Sequence, residues 1–101
     1  MHILHILEEA SLEFEKAALW YEEKSDGLGS RFIDVIKKKL EIIQEHPERS
    51  AKRKGNFRES IVKTFPYVIV YSFYKREGIV VVNSIFHTSR SPKKKYKRDR
   101  H

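Results

Sequence analysis

Apolar residues in the first half of the chain recur at the three- and four-residue spacing that places them on one face of an α-helix. In the first stretch, which starts near Glu8, the stripe comprises Ala10, Phe14, Ala17 and Tyr21. In the second stretch, the stripe comprises Leu28, Phe32, Val35, Ile36, Leu40 and Ile43. Because few residues separate the two stretches, the pattern predicts two helices that form an antiparallel hairpin.

Residues that interrupt the helical pattern set the limits of both helices. The first helix is expected to end at Ser25–Gly27, because glycine adopts the left-handed backbone conformation at low cost. The second is expected to run from near Leu28 to His46–Pro47, because the residue before a proline is pushed out of the helical conformation. Charged residues of the first helix, Glu13 among them, are expected mostly on faces other than the apolar stripe.

Strand-like patterns precede and follow this hairpin. They cover His2–Leu7, about Phe57–Lys63, Tyr67–Tyr74 and Ile79–Phe86. The connections within the second half are short enough for hairpins. The run Ile79–Val82 does not alternate between apolar and polar residues, which predicts a central strand that is buried on both faces. The basic segment Pro47–Gly55 is predicted to be a loop.

The order of these elements predicts an α+β fold, β-α-α-β-β-β, with the helical hairpin packed on one face of a mostly antiparallel sheet. A chain of 101 residues closes around a single core, so we expect one domain over residues 1–96. A basic C-terminal tail is expected over residues 97–101.

Charge is divided unevenly along the chain, whose formal net charge is +7. Residues 1–48 carry six Lys/Arg and eleven Asp/Glu, which gives −5, whereas residues 49–101 carry fifteen and three, which gives +12. This division suggests a polyanionic partner or an acidic protein segment, although basic residues can also serve solubility alone. With no cysteine and no membrane-length apolar run, we expect a cytoplasmic protein that uses no membrane, metal or cofactor.

Three motifs in the same order resemble the RelE/ParE toxin superfamily and together cover about residues 8–96. The first is AALWYEE at Ala17–Glu23, which is followed by GLGSRF at Gly27–Phe32. The second is FPYVIVY at Phe65–Tyr71, and the third is HTSRSP at His87–Pro92. Within the first motif, Trp20 and Tyr21 are expected to be core residues that pack the helices, because large aromatic side chains dominate the cores of small domains.

The resemblance implies the toxin component of a type II toxin–antitoxin system, of the kind associated with plasmid stabilisation and growth inhibition, with a cognate antitoxin as its partner. ParE-like members bind DNA gyrase and trap it, whereas RelE-like members cut messenger RNA on the ribosome. In RelE-like nucleases, an arginine of the central hairpin holds the phosphate, and the matching position here is Val68. The resemblance therefore favours the ParE-like branch. A non-toxic module that binds nucleic acid or protein is a further alternative.

Candidate site residues follow from the chemistry that RNA cleavage would need, namely a proton acceptor, a proton donor and cations beside the phosphate. For a nuclease, the candidates are His87, Arg90, Arg58, Lys63 and Tyr96. His87 can act as an acid or a base near neutral pH, or can serve only as a hydrogen-bonded residue that closes the sheet. For binding of a nucleic acid or another target, the candidates are Arg58, Arg90, Lys93, Lys94, Lys95 and Tyr96.

Overall fold

The computed structural model describes residues 2–89, and these form two helices and five strands. In chain order, the elements are β1 (Ile3–Ile6), α1 (Glu8–Lys24), α2 (Leu28–Glu45), β2 (Lys52–Lys54), β3 (Phe57–Val62), β4 (Tyr67–Tyr74) and β5 (Ile79–His87). The α+β class is confirmed, and so are the two helices. No helix within residues 2–89 has the length and apolar character that a membrane crossing requires.

The five strands form one sheet in the order β1-β5-β4-β3-β2. β1 runs parallel to β5, and the other neighbours are antiparallel, as the mostly antiparallel prediction requires. The Ile79–Val82 run was expected in a central strand that is buried on both faces. β5 is an inner strand, but only Val80 and Val82 of this run are fully buried, whereas Ile79 and Val81 are half-buried. The middle position belongs to β4, however, whose residues Tyr67–Ser72 are all buried.

Both helices cover the same face of the sheet. Side chains alternate along β4, so that Ile69 and Tyr71 pack with the helical stripes, whereas Val68 and Val70 join Phe86 in a separate apolar cluster. An aromatic cluster forms the centre of the helix-facing core. Its members are Phe14, Tyr21, Phe32, Phe65 and Tyr67.

The short strand β2 lies where the sequence predicts only a basic loop. Lys52 pairs with Arg58, and Lys54 pairs with Phe57, with an irregularity between the two pairs. All three residues of β2 are exposed, so no alternation of apolar residues marks the strand in the sequence. Backbone pairing with β3 defines β2 as a strand. As a result, the cationic side chains of β2 form a row at this edge of the sheet.

A carboxylate of α1 caps the start of α2. Gly27 has a φ of +85°, which confirms the left-handed turn between the helices. The backbone N–H groups of Gly27 and Gly29 each donate to the Glu22 carboxylate at 2.9 Å. These donors belong to the first turn of α2, where backbone N–H groups have no partner within the helix. Glu22 therefore ties the end of one helix to the beginning of the next.

Replacing Glu22 with Gln should reduce stability at neutral pH and leave it less changed in acid. The backbone N–H groups of Gly27 and then Gly29 lower the pKa of Glu22 below its ordinary value of 4.5. A carboxylate with a lowered folded-state pKa stabilises the fold above its unfolded-state pKa, and that stabilisation is lost as the pH falls through the folded-state value. The free energies of unfolding of the parent protein and of Glu22→Gln are measured by urea unfolding from pH 7 into acid. The difference between the two free energies should shrink below about pH 4.5. A difference independent of pH would contradict this role of the charge.

Glu13 contacts the sheet, although the charged residues of α1 were expected mostly away from the apolar stripe. One of its carboxylate oxygens accepts hydrogen bonds from the Ser84 hydroxyl at 2.9 Å and from the Ile85 backbone N–H at 3.0 Å. The register of β5 against β4 shifts at this point, where Asn83 is the extra residue of a β-bulge. A bulge removes regular strand partners, and α1 supplies an acceptor in their place.

Candidate functional site

A groove opens where the ends of β4 and β5 meet the C-terminal half of α1. It has a volume of about 590 Å³. The residues within 2–89 that line it are Lys16, Ala17, Trp20, Tyr21, Pro66, Tyr67, His87 and Ser89. We name it the Trp20 groove. The sheet contributes His87, which the sequence singled out for chemistry, and the helix contributes residues for which the sequence suggested no such role.

His87 is half-buried at the end of β5. Its Nδ1 accepts a hydrogen bond from the backbone N–H of Ser89 at 3.1 Å and lies 2.7 Å from the Ser89 hydroxyl oxygen. Its ring meets the edge of Tyr67, with the ring centroids 5.2 Å apart. Because Nδ1 accepts the backbone N–H, the neutral ring carries its proton on Nε2. His87 thus offers an N–H donor, while its other nitrogen is occupied by Ser89.

Trp20 lies on the surface, so the expectation that it is a core residue is wrong. Its side chain is 53% exposed, whereas Tyr21 packs within the aromatic cluster as predicted. The Trp20 ring meets Tyr21 edge-on at 5.1 Å and lies 4.9 Å below the amino group of Lys24. The sequence held one signal of this position, because Trp20 falls outside the apolar stripe that contains Tyr21. An exposed tryptophan beside a groove is a typical feature of binding sites.

The sheet register separates the remaining described candidates. Val62 pairs with Tyr67, which pairs with His87, so Lys63 follows directly at the same end of the sheet as His87. Arg58 pairs with Tyr71, four residues further along β4, which corresponds to roughly 13 Å at the rise of a strand. The structure therefore brings Lys63 to the same end as His87 but leaves Arg58 at a distance.

Arg58 also has a structural role. Its Nη1 donates to the backbone carbonyl oxygens of Ser50 at 2.7 Å and of Glu48 at 3.2 Å. Both carbonyls belong to the segment between α2 and β2, so the guanidinium fastens this segment to β3. Beside it lie exposed cations that the sequence placed in a loop, namely Arg49, Lys52, Arg53 and Lys54. We name these four residues and Arg58 the basic edge.

The other candidates lie outside the described residues. They are Arg90, Lys93, Lys94, Lys95 and Tyr96. Their roles in catalysis or target binding, and the basic tail over residues 97–101, therefore remain predictions. Within residues 2–89, no group of three or more His, Asp or Glu side chains is arranged to hold a metal ion.

Solved structures of Escherichia coli RelE share this fold. The toxin in the intact RelBE toxin–antitoxin complex is 22% identical with a TM-score of 0.69, over 89% of this chain and 100% of that chain. The isolated RelE toxin is 23% identical with a TM-score of 0.67, over 95% and 94% of the two chains. No curated protein sequence matches. Together with the match of a ParE toxin family to residues 4–92, the element order and this fold define a toxin of the RelE/ParE superfamily.

Within that superfamily, the family of ParE toxins of the type II toxin–antitoxin system parDE matches residues 4–92. The match extends from β1 beyond the last described strand and includes both helices and the His87 motif. The chain belongs to the ParE toxin family.

Proposed function

We propose that this chain inhibits DNA gyrase in the manner of ParE-like toxins and is neutralised by a cognate antitoxin. The observation that carries the proposal is the match of the ParE toxin family to residues 4–92, which spans nearly the whole described fold. In this mechanism the toxin acts by binding, so the chain needs no set of catalytic groups. An exposed docking surface and complementary charge are sufficient.

An acidic segment of the antitoxin suits the charge of this chain. E. coli RelE, which has the same fold, was solved in an intact complex with its antitoxin. Residues 49–101 carry a net charge of +12, and the basic edge presents part of that charge on the surface. Opposite charge accelerates association and selects the partner, so salt should slow complex formation.

The positions of the cations support binding over RNA cleavage. Stabilising a phosphate in its transition state requires donors that are held close to it. Val68, at the place where RelE-like nucleases carry an arginine, is buried with Val70 and Phe86. Arg58 is engaged by two carbonyls and lies roughly 13 Å along the sheet from the His87 row.

One observation favours the alternative, a ribosome-dependent mRNA endonuclease. His87 and Lys63 lie at the same end of the sheet, and Lys16 joins His87 in the Trp20 groove. A proton-transfer group beside cations is part of what RNA cleavage requires. The two mechanisms make opposite predictions for the removal of His87.

Replacing His87 with alanine should leave growth inhibition intact, because gyrase binding requires no proton transfer by this residue. If His87 were a general acid or base, its loss would lower the activity by about 100-fold or more. The measurement is the dose of inducer that arrests growth, with circular dichroism of the purified variant as the control for folding. Loss of toxicity in a folded His87→Ala protein would favour the nuclease.

The gyrase proposal is tested directly with purified components. The chain is added to DNA gyrase, relaxed plasmid and ATP, and supercoiling is followed on a gel, with and without the co-purified antitoxin. We expect inhibition at micromolar concentrations of the chain and recovery when the antitoxin is added. Gyrase that supercoils normally at these concentrations would refute the proposal.

A further inference from the structure

The Trp20 groove presents hydrogen-bond donors that no residue of the described chain engages. They are the ammonium of Lys16, the indole N–H of Trp20 and the Nε2–H of His87, none of which has a hydrogen-bond partner within residues 2–89. Among residues 2–89, no carboxylate lines the groove. A ligand that fits these groups must therefore bring acceptor atoms or negative charge.

Aromatic rings form much of the remaining lining. Trp20, Tyr21, Tyr67 and His87 contribute four rings, and Pro66 adds a flat apolar surface. Pairs of these rings already meet edge-on, Trp20 with Tyr21 and Tyr67 with His87. In an edge-on pair, one ring covers part of a face of the other, and the Lys24 ammonium lies 4.9 Å from the centroid of the Trp20 ring. Trp20 nevertheless remains 53% exposed, so part of its ring is accessible to a ligand. Flat faces beside a cation match a flat ligand that carries an anionic group.

We propose that the Trp20 groove binds a nucleotide, with its base stacked on Trp20 and its phosphate beside Lys16. Lys16 and Trp20 lie four residues apart on α1, so they are neighbours on one side of the helix. The volume of about 590 Å³ falls within the range of small-ligand sites. The indole N–H and the His87 Nε2–H supply donors for acceptor atoms on the base or ribose.

The nucleotide fits the groove better than an acidic peptide does. A carboxylate would satisfy Lys16 equally well, but it would leave the ring faces without a stacking partner. A base provides such a partner because every base has a π-face. This site is separate from the basic edge, and its occupancy does not depend on whether gyrase is the target.

Trp20 is the only tryptophan of the chain, so its fluorescence reports on the groove directly. Titration with AMP should change that fluorescence in a saturable manner, whereas adenosine and inorganic phosphate, each supplying half of the ligand, should bind more weakly. Lys16→Ala retains the fluorophore and should weaken AMP binding by about 10-fold, as expected for a charge-assisted hydrogen bond. Lys38→Ala, which removes an exposed lysine of α2 outside the groove, should leave binding unchanged.

Calorimetry measures the Trp20→Ala protein, which lacks the fluorophore. Loss of one base-stacking contact should weaken AMP binding by roughly 10- to 100-fold. Binding of an oligoadenylate is measured beside binding of AMP. A site for one unit of an RNA strand should prefer the oligoadenylate, whereas a site for a free nucleotide should bind both equally. The proposal is overturned if AMP causes no saturable change, if Lys38→Ala weakens binding as much as Lys16→Ala, or if an acidic peptide competes as well as AMP.

Discussion

Replacing Phe32 with alanine is expected to lower the free energy of unfolding by about 3–5 kcal/mol. Phe32 is fully buried, and its ring lies 5.1 Å from each of the rings of Tyr21, Phe65 and Tyr67, measured between centroids. Its removal would leave a cavity where α1, α2 and the sheet meet. Because domains of this size are stabilised by only about 5–15 kcal/mol in total, the variant should lose much of its stability or fail to fold.

The matched control is Leu19→Ala, which removes a large apolar side chain that is 66% exposed on α1. We expect this change to shift stability by no more than about 0.5 kcal/mol. Urea unfolding followed by circular dichroism compares both variants with the parent chain. Equal midpoints for Phe32→Ala and Leu19→Ala would show that the aromatic cluster is not the centre of the core.

Replacing Gly29 with alanine is expected to lower the free energy of unfolding by about 1–3 kcal/mol. A Cβ atom at this position would lie 2.6 Å from the backbone carbonyl oxygen of Ala18 and 2.8 Å from the Cβ of Glu22. The two helices would have to separate, and the Glu22 cap on the Gly29 N–H would be displaced. Helix propensity alone predicts the opposite sign, because alanine is favoured over glycine by about 1 kcal/mol.

The sign of the change therefore distinguishes close helix packing from propensity. Ser30→Ala is the control, because Ser30 is the next residue of α2 and is exposed. There, alanine should be neutral or slightly stabilising. If Gly29→Ala also raises the urea midpoint of unfolding, then α1 and α2 do not pack as closely at Gly29 as the structure shows.

Much of the fold follows from patterns that are local in the sequence. The apolar stripes predicted both helices, because a helix that covers one face of a sheet must repeat its buried residues every three to four positions. Gly27 predicted the turn, and its φ of +85° confirms it. The short connections between β3, β4 and β5 likewise predicted hairpins, because antiparallel neighbours need few linking residues.

The features that the sequence did not predict depend on contacts between distant segments. Glu13 resembles any charged residue on a helix until the bulge at Asn83 presents donors to it. β2 has no apolar alternation, because it is an exposed edge strand that only its pairing with β3 defines. Trp20 was expected in the core because of its size, but its neighbour Tyr21 holds the core position.

The sequence predicted part of the candidate site, namely the position of His87, but not the groove beside it. The motif beginning at His87 indicated the end of the last strand, and His87 does end β5. The sequence grouped Arg58 with His87 by residue type, whereas the register along β4 separates them. The Trp20 groove could not be predicted, because it exists only where α1 packs across the end of the sheet.

The proposed trapping of gyrase should be visible in the DNA of cells that express this chain without its antitoxin. A toxin that traps gyrase should leave chromosomal or plasmid DNA covalently linked to gyrase subunits while messenger RNAs remain full-length. Gyrase linked to DNA is measured by recovering protein-linked DNA from the culture. The integrity of messenger RNAs is measured in the same culture by mapping transcript ends. DNA free of linked gyrase, together with messenger RNAs cut during growth arrest, would contradict gyrase trapping by this chain.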